Sequence, residues 1–287
     1  MSKIQKSLDY NKLKEQQAKG KLLKKQLRFP LFAQIKYDGA YAVVEVDYNY
    51  NITYHTSGGL QYHFNDTMPW EKYLEPGFYI AERTMGGGKL GTRRYTALTG
   101  PKTDQVASIH SELMFHDYLT YEEYLNGRAV TPYYRRLEKL MAILNGDWVT
   151  TTLIIKNAEQ MEEYLKVIVS QGYEGLMLKD QDWLWKDTKS RNIECAKYKK
   201  RPTADLLCTS TTHGEGKYGS MIGALVLTDL QGREVQVGSG LTDRDRARDP
   251  LYFIGSIIEV EYEQIIDTYI QPTYICRRDD KTKEEID

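Results

Sequence analysis

The sequence lacks the features by which membrane-spanning, secreted and disulfide-rich proteins are recognised. Its 287 residues contain no run of the roughly 20 apolar residues that a membrane-spanning helix requires. The basic, polar N-terminus has no apolar segment of the kind found in a secretory signal. Three cysteines are present, Cys195, Cys208 and Cys276, without a Cys-x-x-Cys pair, so neither a disulfide framework nor a cysteine zinc site is predicted. We expect a cytoplasmic protein without a membrane partner, whose cysteines are small buried apolar residues.

A strong net charge is absent as well. The formal net charge is -1, so the charge of the whole chain does not indicate a nucleic-acid partner. The basic residues are unevenly distributed, however, because residues 1–28 contain nine lysines and arginines against only Asp9 and Glu15. Two interpretations fit this segment: an electropositive arm that lies against phosphates, or the solvated face of a helix.

The hydrophobic pattern predicts two domains of different character. A hydrophobic fraction of 41% with 28% charged residues is typical of a globular protein with a packed core. Helices are predicted over 7–26, 133–144 and 158–171, strands over 41–47, 52–56, 78–83, 109–119 and 153–155, and a polar loop over 180–192. From residue 206 onward only short strands are predicted, over 206–212, 221–229, 233–237 and 257–263, with glycine-rich turns between them. The pattern therefore predicts an α+β domain of residues 1–202 and a small all-β barrel or sandwich of residues 203–287, with the boundary close to Pro202.

One lysine stands at the end of a predicted strand. Residues 31–36 are rich in strand formers, and the dipeptide Asp38-Gly39 strongly favours a turn. Lys36 is therefore expected where the strand ends and the turn begins. An ordinary solvated lysine beside a hairpin turn would give the same local pattern. A nucleophilic role would need a special environment, since presenting a neutral lysine amine at pH 7 costs about 4.6 kcal/mol. A cationic neighbour or a desolvated pocket lowers that cost.

Lys36-Tyr37-Asp38-Gly39 resembles the nucleophile motif of the nucleotidyltransferases that include DNA ligases, RNA ligases and messenger-RNA capping enzymes. Further stretches fit the same family in the same order, at 82, 113–119, 174–179 and 197–199. The resemblance implies that Lys36 forms a phosphoramide with a nucleoside monophosphate. It implies that Glu82 accepts hydrogen bonds from the ribose, and that either Phe115 or His116 stacks on the base.

The later motifs carry the acidic and basic groups of the same site. By the resemblance, Glu174 binds the catalytic metal and Lys179 contacts the nucleotide. Lys197 and Lys199 match a Lys-x-Lys pair, and the period of two in a strand places both amines on one face, as phosphate binding requires. Each of these residues taken singly also fits an ordinary strand or loop position.

The C-terminal part resembles the OB domain of ATP-dependent DNA ligases. Residues 213–225 match its opening hairpin, and residues 271–281 match its closing motif, with Arg278, Asp280 and Lys281 in register. In relatives this motif orients the pyrophosphate leaving group, which implies catalytic roles for Arg278 and Lys281. Taken alone, the same residues fit a solvated charged tail.

The resemblance as a whole implies an α+β nucleotidyltransferase (adenylation) domain followed by an OB-fold barrel, of the compact viral or bacteriophage type. The implied activity is ATP-dependent sealing of nicked double-stranded DNA with ATP and Mg²⁺ or Mn²⁺, by a monomer in the cytoplasm, or in the host-cell cytoplasm if the protein is viral. RNA ligation, capping-type guanylyl transfer and DNA binding without catalysis are the alternatives.

Two positions depart from the DNA ligase pattern. The relatives usually carry an arginine two residues after the motif glycine, where this chain has Tyr41, and often another after the serine or threonine of the next motif, where Thr56-Ser57-Gly58 has none. These arginines grip the 3′-OH or 5′-phosphate side of a nick. Arg93 and Arg94, beyond the flexible Gly86–Gly88 segment, are candidate substitutes. Tyr41 is expected either against the nucleotide sugar or the nick, or in the core.

Overall fold

The computed structural model describes residues 3–18, 28–101 and 104–287. The chain divides into two compact units, which we call unit 1 (Met1–Lys200) and unit 2 (Arg201–Asp287). The end of the predicted helix 7–26 and four of the basic residues noted above, Lys19, Lys21, Lys24 and Lys25, lie outside the described residues.

Unit 1 is a mixed α+β structure with two five-stranded sheets. Its strands are β1 (Gln5–Asp9), β2 (Leu31–Lys36), β3 (Ala40–Val46), β4 (Ile52–Thr56), β5 (Gln61–Tyr62), β6 (Gly77–Thr84), β7 (Glu112–Leu119), β8 (Thr152–Ile155), β9 (Gly175–Asp180) and β10 (Thr188–Tyr198). Its α-helices are α1 (Tyr10–Ala18), α2 (Tyr121–Leu125), α3 (Tyr133–Ile143) and α4 (Ala158–Ser170). One sheet has the order β1-β10-β9-β2-β8 and the other has the order β5-β4-β3-β6-β7.

The turn after Lys36 carries the chain from the first sheet to the second. β2 ends at Lys36, as predicted, and β3 begins at Ala40. Gly39 is needed between them because a Cβ atom there would lie 2.4 Å from the carbonyl oxygen of Arg83. The close approach of the turn to β6 therefore brings the end of β2 beside the second sheet.

Each sheet of unit 1 has its own apolar core. The second sheet packs against α3 through residues that include Phe115, Tyr133 and Leu140, all 0% exposed. The first sheet packs against α4 through Leu165 and Ile168. Apolar residues recur along α4 at helical spacing, so one of its faces is buried while the rest is solvated.

A buried ion pair joins α3 to β7. The guanidinium of Arg136 donates to both carboxylate oxygens of Asp117, with Nε–Oδ1 and Nη2–Oδ2 distances of 2.8 and 3.0 Å. Both side chains are 1% exposed. Arg136 also donates to the carbonyl oxygen of Trp183 at 3.1 Å, so the desolvated guanidinium has compensating partners.

Unit 2 is built mainly of strands. These are β11 (Thr203–His213), β12 (Ile222–Thr228), β13 (Glu234–Val237), β14 (Ile257–Glu261), β15 (Gln264–Ile265), β16 (Tyr269–Ile270) and β17 (Thr273–Arg278), with one short helix, α5 (Asp243–Arg246). The five-stranded sheet has the order β13-β12-β11-β14-β17, and β15 pairs with β16. The first half of β11 pairs with β14 and its second half pairs with β12, so this long strand bends from one neighbour to the other.

The sheet of the barrel predicted for unit 2 is not closed in the described residues. β13 and β17 form the two edges of the sheet, and no ladder joins them in the described residues. A single backbone hydrogen bond of 2.8 Å, from Tyr274 N to Ser239 O, links β17 to the segment that follows β13. Gly240 has a φ of +89°, and a Cβ atom there would lie 2.3 Å from the Tyr274 carbonyl oxygen. This contact brings the two edges together without continuous pairing.

Two other local predictions are wrong at their boundaries. Residues 7–9, predicted as the start of a helix, belong to β1 because that strand pairs in parallel with β10. The second half of the predicted loop 180–192 belongs to β10, which begins at Thr188. In both cases a pairing with a distant strand overrides the polar local sequence.

The three cysteines are free thiols. Cys195 and Cys208 are buried, as predicted, whereas Cys276 is half-buried. Burial raises the pKa of Cys195 and of Cys208 to about 11, and burial together with Glu259 raises that of Cys276. Among the described residues, no helix has both the length and the apolar character needed to cross a bilayer.

The Arg136–Asp117 pair gives a prediction for stability. Arg136→Ala leaves a buried carboxylate without its partner, so we expect the free energy of unfolding to fall by about 3–5 kcal/mol. The neighbouring change Arg135→Ala removes an ion pair in which both side chains are 60% exposed, and we expect a loss within about 0.5 kcal/mol. Urea unfolding of both variants provides the comparison, and equal losses would contradict the assigned role of the buried pair.

Candidate active site

A cavity of about 450 Å³ lies in unit 1 beside the end of β2. Five of the predicted nucleotide-site residues line it, namely Lys36, Glu82, His116, Lys179 and Lys197. Residues from both sheets contribute, because the turn after Lys36 brings the sheets together. The cavity therefore collects side chains that are distant in sequence and carry opposite charges.

Three strand ends meet at one carboxylate. Lys36 ends β2, Glu174 immediately precedes β9, and Lys199 immediately follows β10. Glu174 accepts a hydrogen bond from the ammonium group of Lys36 and forms an ion pair with that of Lys199 through its other oxygen. The side chains of Lys36, Glu174 and Lys199 are 21%, 10% and 17% exposed.

The register of the sheet produces this convergence. Lys36 lies opposite Gly175 in the β2–β9 ladder, and Tyr198 lies opposite Leu176 in the β9–β10 ladder. A Cβ atom on Gly175 would lie 2.3 Å from the carbonyl oxygen of Tyr198, and the residue has a φ of +150°. Glycine at this position allows β9 to begin directly between the two lysines.

The charges around Glu174 shift its pKa in a defined direction. Burial raises the pKa of this carboxyl group, but the ammonium groups of Lys36 and Lys199 outweigh burial and hold the pKa below its ordinary value. Glu174 is therefore a carboxylate at neutral pH.

Lys197 lies on the same strand as Cys195 and pairs with Asp9 at 3.6 Å, and burial lowers its pKa.

The pKa of Glu82 shifts in the opposite direction to that of Glu174. This half-buried residue of β6 lies opposite Tyr41 of β3, and burial raises its pKa to about 7. The positive charges of Lys36 and Arg93 oppose the rise, while the carboxylate of Glu174 contributes to it. Glu82 therefore changes its charge close to neutral pH.

Lys179 and His116 form the inner part of the cavity. Lys179 is 2% exposed, and its ammonium group donates to His116 O and to the hydroxyl of Tyr133, both at 3.2 Å. Burial lowers the pKa of Lys179 to about 8 although Asp117 opposes the shift. Burial and the charge of Lys179 hold the pKa of His116 well below its ordinary value, so its imidazole is neutral at pH 7.

The structure separates the two candidate aromatic residues. Phe115 lies in the core, with its ring centroid 5.0 Å from that of Trp70, whereas His116 lines the cavity. A register shift in the β6–β7 ladder explains the difference: Ile80 faces Asp117 and Ala81 faces Phe115, so His116 is the extra residue of a β-bulge. The proposed contact of Phe115 with a nucleotide is thus not compatible with its place in the core, and His116 is the remaining candidate.

Several lining residues were missed in the sequence. Gln34 is 1% exposed and lies two positions before Lys36, and the period of two along β2 was a signal that could have identified it. Residues 4–7 also line the cavity because β1 lies at the edge of the first sheet. No local signal marks residues 4–7, since their position results from pairing with β10.

Arg278 and Lys281 belong to unit 2, where both contact one buried carboxylate. The ammonium group of Lys281 donates to Asp205 at 2.6 Å, and the guanidinium of Arg278 lies 3.3 Å from the same oxygen. Arg278 also donates to Asp280 through two hydrogen bonds of 2.8 Å. The two cations expected from the closing motif are therefore neighbours within unit 2.

Glu174 is the predicted metal ligand of this site. No group of three histidine, cysteine, aspartate or glutamate side chains is arranged to hold a metal ion in the described part of the chain. Glu174 is ionised and already faces two cations. Magnesium commonly binds through one or two carboxylates together with substrate phosphates and water, so Glu174 fits a metal bound with a nucleotide rather than a resident metal centre.

Two family models match the chain. The model described as ATP dependent DNA ligase domain matches residues 86–199, and the model described as DNA ligase OB-like domain matches residues 213–269. The first match includes Glu174, Lys179, Lys197 and Lys199.

Curated DNA ligases are similar to parts of the chain. The DNA ligase of Thermococcus onnurineus is 28% identical over 221 residues, which are 64% of this chain and 38% of the relative. The DNA ligase of Ignicoccus hospitalis is 25% identical over 168 residues, 50% of this chain and 27% of the relative. That of Enterobacteria phage T4 is 27% identical over 170 residues, 52% of this chain and 34% of the relative. The chain thus spans about a quarter to two fifths of the length of these relatives.

Solved structures share the fold over almost the whole chain. A structure from work on Lig E DNA ligases covers 97% of this chain and 100% of its own, with a TM-score of 0.63 and 16% identity. The ATP-dependent DNA ligase from bacteriophage T7 in complex with ATP covers 95% of this chain and 98% of its own, with a TM-score of 0.50 and 14% identity. At these identities the likeness concerns the fold.

The raised pKa of Glu82 gives a prediction for stability against pH. Between its ordinary value of 4.5 and the folded-state value of about 7, the folded protein binds a proton that the unfolded chain has lost, so stability falls as the pH rises through this window. Gln cannot ionise. We therefore expect Glu82→Gln to gain stability relative to the wild type from pH 5 to pH 7.5, by about 3 kcal/mol at most.

Denaturant unfolding of the wild type and the variant across this pH range measures the difference. Glu112→Gln, at an exposed position of the neighbouring strand β7, is the matched control and should show a constant difference. Parallel curves for the wild type and Glu82→Gln would contradict the raised pKa.

Proposed function

The chain belongs to the ATP-dependent DNA ligase family, and we propose that it uses ATP to seal nicks in duplex DNA. The observation that supports this activity best is the group formed by Lys36, Glu174 and Lys199 at the cavity. It combines an amine nucleophile, a carboxylate and a further cation within contact distance of each other. These are the parts that transfer of an adenylyl group to a lysine requires.

In the first step the amine of Lys36 attacks the α-phosphorus of ATP. The N–P bond forms, the bond to the β-phosphate oxygen breaks, and pyrophosphate leaves. The ammonium group of Lys36 must first release a proton to solvent, and Glu174, the carboxylate that contacts it, orients the nitrogen. Lys197 and Lys199 supply positive charge for the phosphates. A divalent metal bound by Glu174 and the nucleotide would neutralise further negative charge on the phosphates.

Other residues of the cavity would position the nucleoside. Glu82 in its ionised form accepts hydrogen bonds from the ribose hydroxyls, and His116 offers a neutral ring for stacking on adenine. Lys179 donates from the inner end of the cavity. Lys179 is already held by His116 O and Tyr133 in the protein, so little reorganisation of its side chain is needed on binding.

Two further transfers complete the proposed reaction. The 5′-phosphate at the nick attacks the phosphorus of the lysyl-AMP, which frees Lys36 and forms an adenylylated DNA end. The 3′-OH then attacks the phosphorus of the 5′-phosphate, the phosphodiester bond forms and AMP leaves. Both matched family models are DNA ligase domains, so RNA ligation and guanylyl transfer are not favoured.

We assign residues 1–202 to the adenylation domain and residues 203–287 to the OB domain. The division into two compact units at Lys200 and Arg201 supports this assignment. In the OB domain, Arg278 and Lys281 would orient the pyrophosphate leaving group, because two adjacent cations suit a diphosphate. Action as a cytoplasmic monomer stays a prediction.

The nucleophile is tested by Lys36→Ala. We expect no covalent AMP on this variant after incubation with ATP and Mg²⁺, because no amine remains at the end of β2. Intact-mass analysis detects the adduct on the wild type and on the control Lys12→Ala, whose side chain is exposed on α1. An added AMP on Lys36→Ala would exclude Lys36 as the nucleophile. Parallel incubations with GTP, nicked DNA and nicked RNA separate DNA ligation from the alternatives.

The role of the closing motif is tested by Arg278→Ala and Lys281→Ala. We expect both variants to react with ATP at least about tenfold more slowly, since each loses a charge-assisted contact with the leaving group. Sealing of a nick that is already adenylylated releases no pyrophosphate and should be affected much less. Single-turnover assays of the two reactions measure the contrast. Equal loss in both would mean that these residues act in DNA binding.

A further inference from the structure

Tyr41 holds the N-terminal segment in place. It stands where DNA ligases usually carry an arginine, and its side chain lines the cavity. Its hydroxyl donates to the carbonyl oxygen of Lys3 at 3.1 Å. Burial raises its pKa well above the ordinary value, so the hydroxyl keeps its proton. Tyr41 is therefore neither a cation nor a plain core residue, but a donor to the segment that enters β1.

The segment that Tyr41 holds forms one wall of the cavity. Ile4 N donates to Asp187 at 3.1 Å, and the side chain of Gln5 accepts from Lys186 N at 2.7 Å. β1 lies at the edge of its sheet, and its pairing with β10 is irregular between Gln5 and Leu8. An edge strand with a broken ladder depends on side-chain contacts for its position, and the hydroxyl of Tyr41 supplies one of them.

This wall places Lys6 at the cavity. Lys6 is exposed and lines the cavity, and no carboxylate of the described residues pairs with it. The other cavity lysines are engaged: Lys36 with Glu174, Lys197 with Asp9, and Lys179 with the backbone and Tyr133. Lys6 is thus a solvated cation at the rim, available to an anion that comes from solvent.

We propose that Lys6 binds the 5′-phosphate at the DNA nick and that Tyr41 is the positioning residue that holds Lys6 there. The inference rests on the proposed function, in which this phosphate must enter the cavity to reach AMP on Lys36. A terminal phosphate carries more charge than a phosphodiester, so a lysine amine favours it. In relatives the arginine side chain carries this positive charge. Here Lys6 of β1 supplies it, and Tyr41, which stands at the arginine position, anchors β1.

The test compares binding of nicked duplexes that end in a 5′-phosphate or a 5′-hydroxyl, in EDTA so that no chemistry occurs. For Lys6→Ala we expect affinity for the 5′-phosphate nick to fall about tenfold and the salt slope of log affinity to shrink by about one, because one phosphate contact is lost. Affinity for the 5′-hydroxyl nick should stay within about twofold, since no terminal phosphate is present there. Tyr41→Phe should give the same pattern at about threefold, since it loses one neutral hydrogen bond.

Lys12→Ala and Tyr50→Phe are the matched controls, because both side chains are exposed outside the cavity lining. Both should leave the ratio of the two affinities unchanged. An equal loss for both nicks would make Lys6 a non-specific contact, and an unchanged affinity for the 5′-phosphate nick would show that Lys6 does not contact this phosphate; either outcome overturns the inference. If the wild type does not take up AMP at all, the proposed function fails instead.

Discussion

The carboxylate of Glu174, held between the ammonium groups of Lys36 and Lys199, is the contact around which the rest of unit 1 is arranged. Without it, two ammonium groups that are mostly removed from water would face each other without compensation, which is costly. The backbone makes the contact possible, because Gly175 lets β9 start between the ends of β2 and β10. The contacts of Glu174 with the two lysines therefore depend on the register of β2, β9 and β10.

The sequence predicted those parts of the site that depend on local pattern. β2 ends at Lys36, where a run of strand formers meets a turn, so periodicity and turn chemistry were sufficient to place this residue. Glu174 and Lys199 were identified instead through the family resemblance of their motifs. Helices α3 and α4 were predicted within one residue at each end because their apolar faces repeat at helical spacing. The two domain types were likewise visible in the change from mixed elements to short strands.

What could not be predicted depends on pairing between distant segments. The polar residues of β1 have no strand signal, and they form a strand because β10 offers a partner nearly 190 positions along the chain. The choice between Phe115 and His116 depended on a β-bulge, which shifts one residue out of the alternation and cannot be located from β7 alone. The sheet of unit 2 stays open because no ladder joins β13 and β17 in the described residues, and a single backbone hydrogen bond links β17 to the segment that follows β13.

The state of the three cysteines has a practical consequence for spectroscopy. Each thiol is at least partly buried and has a raised pKa, so thiolate is scarce at neutral pH and reaction with maleimides is slow. A single cysteine introduced at an exposed position, such as that of Lys12, would react far faster than the native ones. A fluorophore could then be attached to one chosen site without removing any native cysteine, which allows DNA binding to be followed by fluorescence at that site.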